Sequence, residues 1–211
     1  MNLEDYKTLF VSITLIAILA ASTPLIGMLI GMFLPQQEEP FLAMATLGEG
    51  GMADKYYPGG DPNIRVESPV RWYIYLYNHM GCAQYVAVRV KLLNSVLPGP
   101  DSASCSPSPT PAFFELRYVL IKNETRVSPL FWRVSEATQG ENVVSITELV
   151  VNNMTVGLDA TASDGYNFRM VLELWVYDDA SDGLRFGWRS GQKYRCAWNQ
   201  IWFNVTMPAV R

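Results

Sequence analysis

Apolar and polar positions change rhythm once along the chain. From Thr8 to Leu34, TLFVSITLIAILAASTPLIGMLIGMFL runs 27 residues without an Asp, Glu, Lys or Arg. Past Thr8 its hydroxyl positions are only Ser12, Thr14, Ser22 and Thr23, too few to give the polar face of a soluble helix. A hydrocarbon core is crossed by roughly 20 apolar residues of helix, and a helix satisfies its own backbone hydrogen bonds in lipid. The stretch therefore predicts one transmembrane helix over 8–34, after a cytoplasmic tail of 1–7 and before a polar linker, PQQEEP, over 35–40. Lys7 on one side and Glu38 and Glu39 on the other put the amino terminus in the cytoplasm and the rest outside. Ala20, Ala21 and Ser22, with Ala17, also fit the cleavage site of a signal peptide, but apolar sequence continues for a dozen residues beyond them, which favours retention as an anchor. Pro24 predicts a kink, and Gly27 and Gly31 have the spacing that lets a second helix approach, although Gly is common in membrane helices anyway.

After Pro40 the period falls to two. Phe41 to Leu47 predicts a first strand, Gly48 to Pro62 a Gly/Pro-rich loop, and Asn63 to Ser68 a short second strand. In PVRWYIYLY, Val70, Trp72, Ile74 and Leu76 alternate with Arg71, Tyr73, Tyr75 and Tyr77. Asn78 to Gly81 reads as a turn into AQYVAVRVKLL, which predicts an antiparallel hairpin of these two runs. An 18-residue loop with five prolines follows, from Asn94 to Pro111, a length that is usually functional or disordered. Further strands are predicted over 113–121, 127–134 (drawn toward a sheet edge by Pro129), 143–151 and 154–160 as a hairpin about Asn152-Asn153, 167–177, 184–188 and 196–207. Eight to ten short strands without helical periodicity predict an all-β, immunoglobulin-like antiparallel β-sandwich over 41–211, behind the single N-terminal transmembrane helix.

Charge narrows the partners. A net charge of −4 with pI near 5.0 argues against nucleic acid, which needs a clustered basic face. The three cysteines, Cys82, Cys105 and Cys196, fall on the side predicted to be oxidising, where one disulfide and one odd thiol is the simplest arithmetic. Cys105 with Cys196 is the favoured pair, because it would fix the long loop; Cys82 with Cys196 is the alternative, and three buried free thiols remain a third arrangement. Asn123, Asn153 and Asn204 each open an N-x-S/T sequon, with Asn123 and Asn153 in predicted turns and Asn204 within a predicted strand.

Catalytic chemistry is thin. His79 is the only histidine, and no GxSxG, HExxH or P-loop spacing occurs. Asp178, Asp179 and Asp182 suggest a calcium loop, but an EF-hand frame puts Ala180 and Arg189 where it needs oxygen ligands, so a hairpin turn is the economical reading. Glu115, Glu148 and Glu173 lie on separate strands, and nothing in the sequence pairs them as a hydrolase would require. Tyr73, Tyr75 and Tyr77, joined by Tyr85 and flanked by Arg71, Arg89 and Lys91, form the candidate binding face, set against ordinary cross-strand packing.

The opening strand leading into LGEGGMADKYYP (Leu47 to Pro58), the phrases NIRV (Asn63 to Val66) and Pro69-Val70, the turn NHMG (Asn78 to Gly81) and the terminal WFNVT (Trp202 to Thr206) carry a likeness. Over Phe41 to Thr206 the chain resembles the immunoglobulin-like extracytoplasmic domain of uncharacterised archaeal membrane proteins. It departs from them in having one predicted anchor where they often carry several, and in its proline-rich loop. The resemblance implies fold and surface location and brings no activity, metal or cofactor. The expected role is structural or protein-interacting at the archaeal cell surface, with the membrane and an envelope protein as partners and no enzyme activity; a carbohydrate-binding module using the tyrosine face on a glycan is the alternative.

Overall fold

A computed structural model of the protein describes residues 6, 7, 10–16, 18, 20, 28 and 39–207. Contacts divide the chain into two units, Met1–Glu39 and Pro40–Arg211. In the first, every described residue up to 28 is helical, and the Thr14 hydroxyl bonds back to the Phe10 carbonyl at 2.8 Å. Among the described residues no helix is long and apolar enough to cross a membrane. Most of the predicted span, with Pro24, Gly27 and Gly31, and residues 35–38 of the linker lie outside the described residues.

The second unit is a sandwich of two sheets. Five strands form one, in the order β1 (Phe41–Leu47), β3 (Val70–His79), β6 (Thr125–Gln139), β7 (Val143–Val151) and β8 (Met154–Ser163). The other has the order β2 (Asn63–Arg65), β13 (Trp198–Thr206), β9 (Phe168–Asp178), β4 (Gln84–Leu93) and β5 (Phe114–Leu120), and its sixth strand, β10 (Gly183–Phe186), pairs β9 where β13 stops. β11 (Trp188–Ser190) and β12 (Lys193–Arg195) form a separate two-stranded ribbon. Every pairing is antiparallel except β2 with β13. The arrangement of β1, β3 and β6 on one side and β13, β9, β4 and β5 on the other is that of an immunoglobulin-like sandwich. It departs where β7 and β8 follow β6 as a meander.

The core is made by the alternation. Val70, Trp72, Ile74 and Leu76 of β3 are fully buried, facing Val86, Val88 and Val90 of β4 and Met170, Leu172 and Leu174 of β9 within one cluster. The β7–β8 hairpin turns at Asn152 and Asn153 with φ of 47° and 66°, the left-handed pair that a two-residue hairpin demands and Asn tolerates.

Two pairings correct the sequence reading. β3 and β4 do not form a hairpin: β3 lies between β1 and β6, and β4 between β9 and β5. The chain crosses from one sheet to the other after His79, with Gly81 at φ 81° in the crossing. Nor is β6 an edge strand, for β3 flanks it on one side and β7 on the other. Pro129 is accommodated because β7 pairs only from Trp132 onward; below that, the Asn152 side chain donates to the Pro129 carbonyl (3.0 Å) and accepts from the Phe131 N–H (2.8 Å).

Asn78 holds the crossing. Fully buried, it donates from Nδ2 toward the carbonyls of Cys82 (2.9 Å), Leu120 (3.0 Å) and Ile121 (3.0 Å), and its Oδ1 accepts from the Met80 N–H at 2.9 Å. Asn78→Ala would leave the Met80 N–H and three carbonyls, that of Leu120 buried, without these bonds. Urea unfolding is expected to report a loss of about 2–3 kcal/mol, with a value under ~0.5 kcal/mol contradicting this role.

Candidate functional site: the loop-covered face of the six-stranded sheet

β9 alternates as the sequence predicts, yet both of its faces are buried. Phe168, Met170, Leu172 and Leu174 enter the sandwich core, while Arg169, Val171 and Glu173, on the outer face, are also covered, as are Ala87, Lys91 and Leu93 beside them on β4. The cover is the proline-rich loop, 94–111. It is an ordered strap tied down at named points.

At its start, Arg169 donates from Nε to the Asn94 carbonyl (3.1 Å) and from Nη2 to that of Leu97, with Nη1 on Gln200 Oε1 at 2.9 Å. In the middle, Asp101 and Ser106 exchange backbone hydrogen bonds of 2.9 and 3.1 Å, and Trp198 Nε1 donates to Ser102 Oγ at 2.9 Å. Near its end, buried Ser108 donates its N–H to Glu173 Oε1 (2.7 Å), gives its carbonyl to Lys91 Nζ (2.6 Å), and reaches from Oγ to the Pro98 carbonyl (2.9 Å), joining the two limbs.

Beneath Ser108 lies an ion pair, Lys91 Nζ to Glu173 Oε2 at 2.8 Å, with the residues 4% and 0% exposed. Trp175 Nε1 donates to the same Oε2 at 2.9 Å. Three donors on one carboxylate offset the cost of burying it. Outward along the face, the Arg89 guanidinium lies 3.8 Å from the Trp175 ring centre. Its Nε bonds Glu115 Oε2 at 2.7 Å, and Arg117 Nε bonds the other oxygen at 2.5 Å. Burial pushes the Glu115 carboxyl up, but hydrogen bonds from Arg89 and Arg117 outweigh it and hold the group below the usual range. Glu115 therefore carries no proton at neutral pH to give as a general acid. A cleft of about 480 Å³ opens between these side chains and the strap, bounded by Pro107, Thr110, Phe113 and Trp175.

The strap also brings cysteines together. Cys105, at φ 47°, sits against Cys196: the Cys196 thiol is pushed up to about 12, first by burial and then by a hydrogen bond with Cys105. Cys82 is exposed, its sulfur 3.1 Å from Gln84 Nε2. The favoured pair is thus juxtaposed, both as thiols.

The tyrosine face is divided. Tyr73, Tyr75 and Tyr77 share the outer side of β3, half-buried, with Tyr73 edge-on to Phe131 (5.7 Å) and Tyr77 edge-on to Phe41 (5.8 Å). Tyr85 belongs to β4 in the other sheet, where it meets Tyr177 at 6.2 Å, so it does not extend the row. The period marks which side of a strand a residue takes, not which sheet the strand joins.

The remaining candidates fall apart or stand alone. Among the described residues no group of three or more His, Cys, Asp and Glu could hold a metal ion. Asp178 instead pairs with Arg185 (3.0 Å) and Ser181 (2.9 Å), and Asp182 accepts from the Tyr177 hydroxyl at 2.5 Å, so with Asp179 they make the predicted turn rather than a calcium site. His79 ends β3, with Nδ1 3.2 Å from the Tyr77 hydroxyl. Glu148 bonds Ser135 Oγ at 2.8 Å, away from Glu115 and Glu173. Asn123 and Asn153 are exposed at left-handed turn positions, whereas the Asn204 amide is engaged, donating to Asn63 Oδ1 (2.8 Å) and accepting from the Asn167 N–H (3.0 Å).

No family model and no curated protein matches the chain. Among solved structures it is similar to the CARDB domain of the PF1109 protein from Pyrococcus furiosus in complex with di-metal ions (TM-score 0.36, 9% identity, covering 80% of this chain and 90% of that one). It is also similar to a β-glucosidase from Listeria innocua in complex with gluconolactone (TM-score 0.34, 7% identity, 79% of this chain and 16% of that one). Likenesses this distant carry no functional argument.

Proposed function

We propose that the chain is a single-pass membrane protein that displays its β-sandwich outside the cell as a structural or protein-interaction module of the envelope, not as an enzyme. The anchor is supported by the uncharged length of 8–34, and the archaeal surface location by the family resemblance. The observation that carries the interaction role is the outer face of the five-stranded sheet. There Tyr73, Tyr75 and Tyr77 adjoin Phe131 and Val127, which are 39% and 54% exposed, with exposed Arg71 at the margin. Aromatic area with polar tips and an arginine beside it is the composition that protein interfaces favour. A sugar platform needs a free ring face, and the stacking of Tyr77 on His79, which covers one, favours the protein partner over the glycan.

The test is gentle detergent extraction of the full-length protein from its native membranes, with Tyr75→Asp in parallel. A stoichiometric envelope or membrane protein is expected to copurify with the parent and to be lost from the variant at unchanged melting temperature. A chain that comes out alone and binds a glycan array would overturn the reading in favour of a carbohydrate-binding module.

A further inference from the structure

The cleft under the strap is a second, separate site, on the opposite sheet from the tyrosine face and independent of the role argued for that face. Its central group is Arg89. The guanidinium is held over Trp175, 3.8 Å from the ring centre, and Nε is fixed by Glu115 at 2.7 Å. Nη1 and Nη2 donate to no protein acceptor among the described residues, although the residue lines the cleft. Two parallel N–H donors in a fixed plane match the two oxygens of a carboxylate. Stacking and the Glu115 bond have already removed the rotamer freedom that binding would otherwise have to freeze.

The local charge agrees. Arg89, Arg117 and Lys91 face Glu115 and Glu173, so three cations meet two anions and one positive charge is left over. Lys91 is not the free one: its ammonium lies between Glu173 and the Ser108 carbonyl, buried below the cleft. Thr110 adds a hydroxyl at the rim, and Pro107 and Phe113 give apolar walls to about 480 Å³, room for a compact organic anion rather than a polymer. We infer that this cleft binds a small carboxylate ligand, gripped by the Arg89 fork over the Trp175 ring.

A uronic acid and a peptide carboxyl terminus present the same group, and matched probes separate them. Full-length protein in detergent micelles would be titrated by calorimetry with glucuronate against glucose, and with N-acetyl-dialanine against its amide. The acid is expected to bind and its neutral counterpart to bind at least about tenfold more weakly, in whichever pair matches the ligand's source. Arg89→Gln is expected to lose at least about tenfold, and Arg89→Lys to recover only part, since a point charge cannot make the forked contact. Ala112→Trp, at a lining residue just past the strap that carries no charge, is expected to fill the cleft and block binding at unchanged melting temperature. Equal binding of acid and neutral probes, or parent-like binding by folded Arg89→Gln, overturns the assignment.

Discussion

Replacing Glu173 with alanine is expected to cost about 3–5 kcal/mol of folding stability, the range for breaking a buried ion pair by removing one partner. In a domain of this size that corresponds to a melting temperature lower by roughly 6 to 20 °C. Three donors lose their acceptor at once: Lys91 Nζ, the Ser108 N–H and Trp175 Nε1. The ammonium is the worst off, since it keeps only the Ser108 carbonyl, and that carbonyl is itself held in place by the bond being removed. Glu173→Gln keeps the shape and one acceptor and should recover part of the loss. Lys91→Met should cost less than Glu173→Ala, because the carboxylate retains two N–H donors. The double change should cost less than the sum, the mark of direct coupling. Urea unfolding measures all four, and hydrogen exchange at the Ser108 amide locates the effect in the strap. A Glu173→Ala variant within ~1 kcal/mol of the parent would mean that the pair is solvated and the strap not closed over it.

That network was the least legible part of the chain. Arg169, Glu173 and Lys91 occupy the polar phase of two period-2 strands, which in a sandwich ordinarily faces water. What buries them is a segment that shows no periodicity, whose contacts with β9 span 65 to 75 residues of sequence. The available signals were the strap's length and prolines, which marked it as more than a connection without saying where it lies. Local chemistry read better. Phe41–Leu47 and the Asn152-Asn153 hairpin fall where pattern and turn residues put them, because both are decided within a few residues. Partner choice was not local. Inward Val70, Trp72, Ile74 and Leu76 are equally satisfied whether β4 lies beside β3 or across the core from it, and the sandwich takes the second arrangement. The same ambiguity placed Tyr85 with Tyr73, Tyr75 and Tyr77 in the sequence and separates them in the fold.

Oxidised full-length protein is expected to carry a Cys105–Cys196 disulfide and one reactive thiol, Cys82. The juxtaposition of Cys105 and Cys196 supports the pairing, and the bridge would staple the middle of the strap to the chain just before β13. It closes a loop of roughly 90 residues, for which the chain-entropy model gives more than 4 kcal/mol and measured bridges typically about 2–4 kcal/mol. Cys105→Ser is therefore expected to lower the melting temperature by roughly 4 to 16 °C. Cys82→Ser, at an exposed position outside the strap, should leave it unchanged. The formation rate carries a further signature. Burial, the larger cause of its raised thiol, remains once Cys105 carries glutathione, so Cys196 stays protonated at neutral pH and is a poor attacking group. Starting from reduced protein, Cys105 should attack oxidised glutathione first and release one reduced glutathione. Cys196 must then displace the second, so the pair gives up two protons and two electrons in all. That second step should limit the rate and accelerate as pH rises toward 9. Thiol labelling followed by intact mass measurement reads both the count and the rate. Three labelled thiols in protein taken from an oxidising compartment, or a mixed glutathione adduct on Cys105 that never resolves, would show that the strap is held by its hydrogen bonds and the Lys91–Glu173 pair alone.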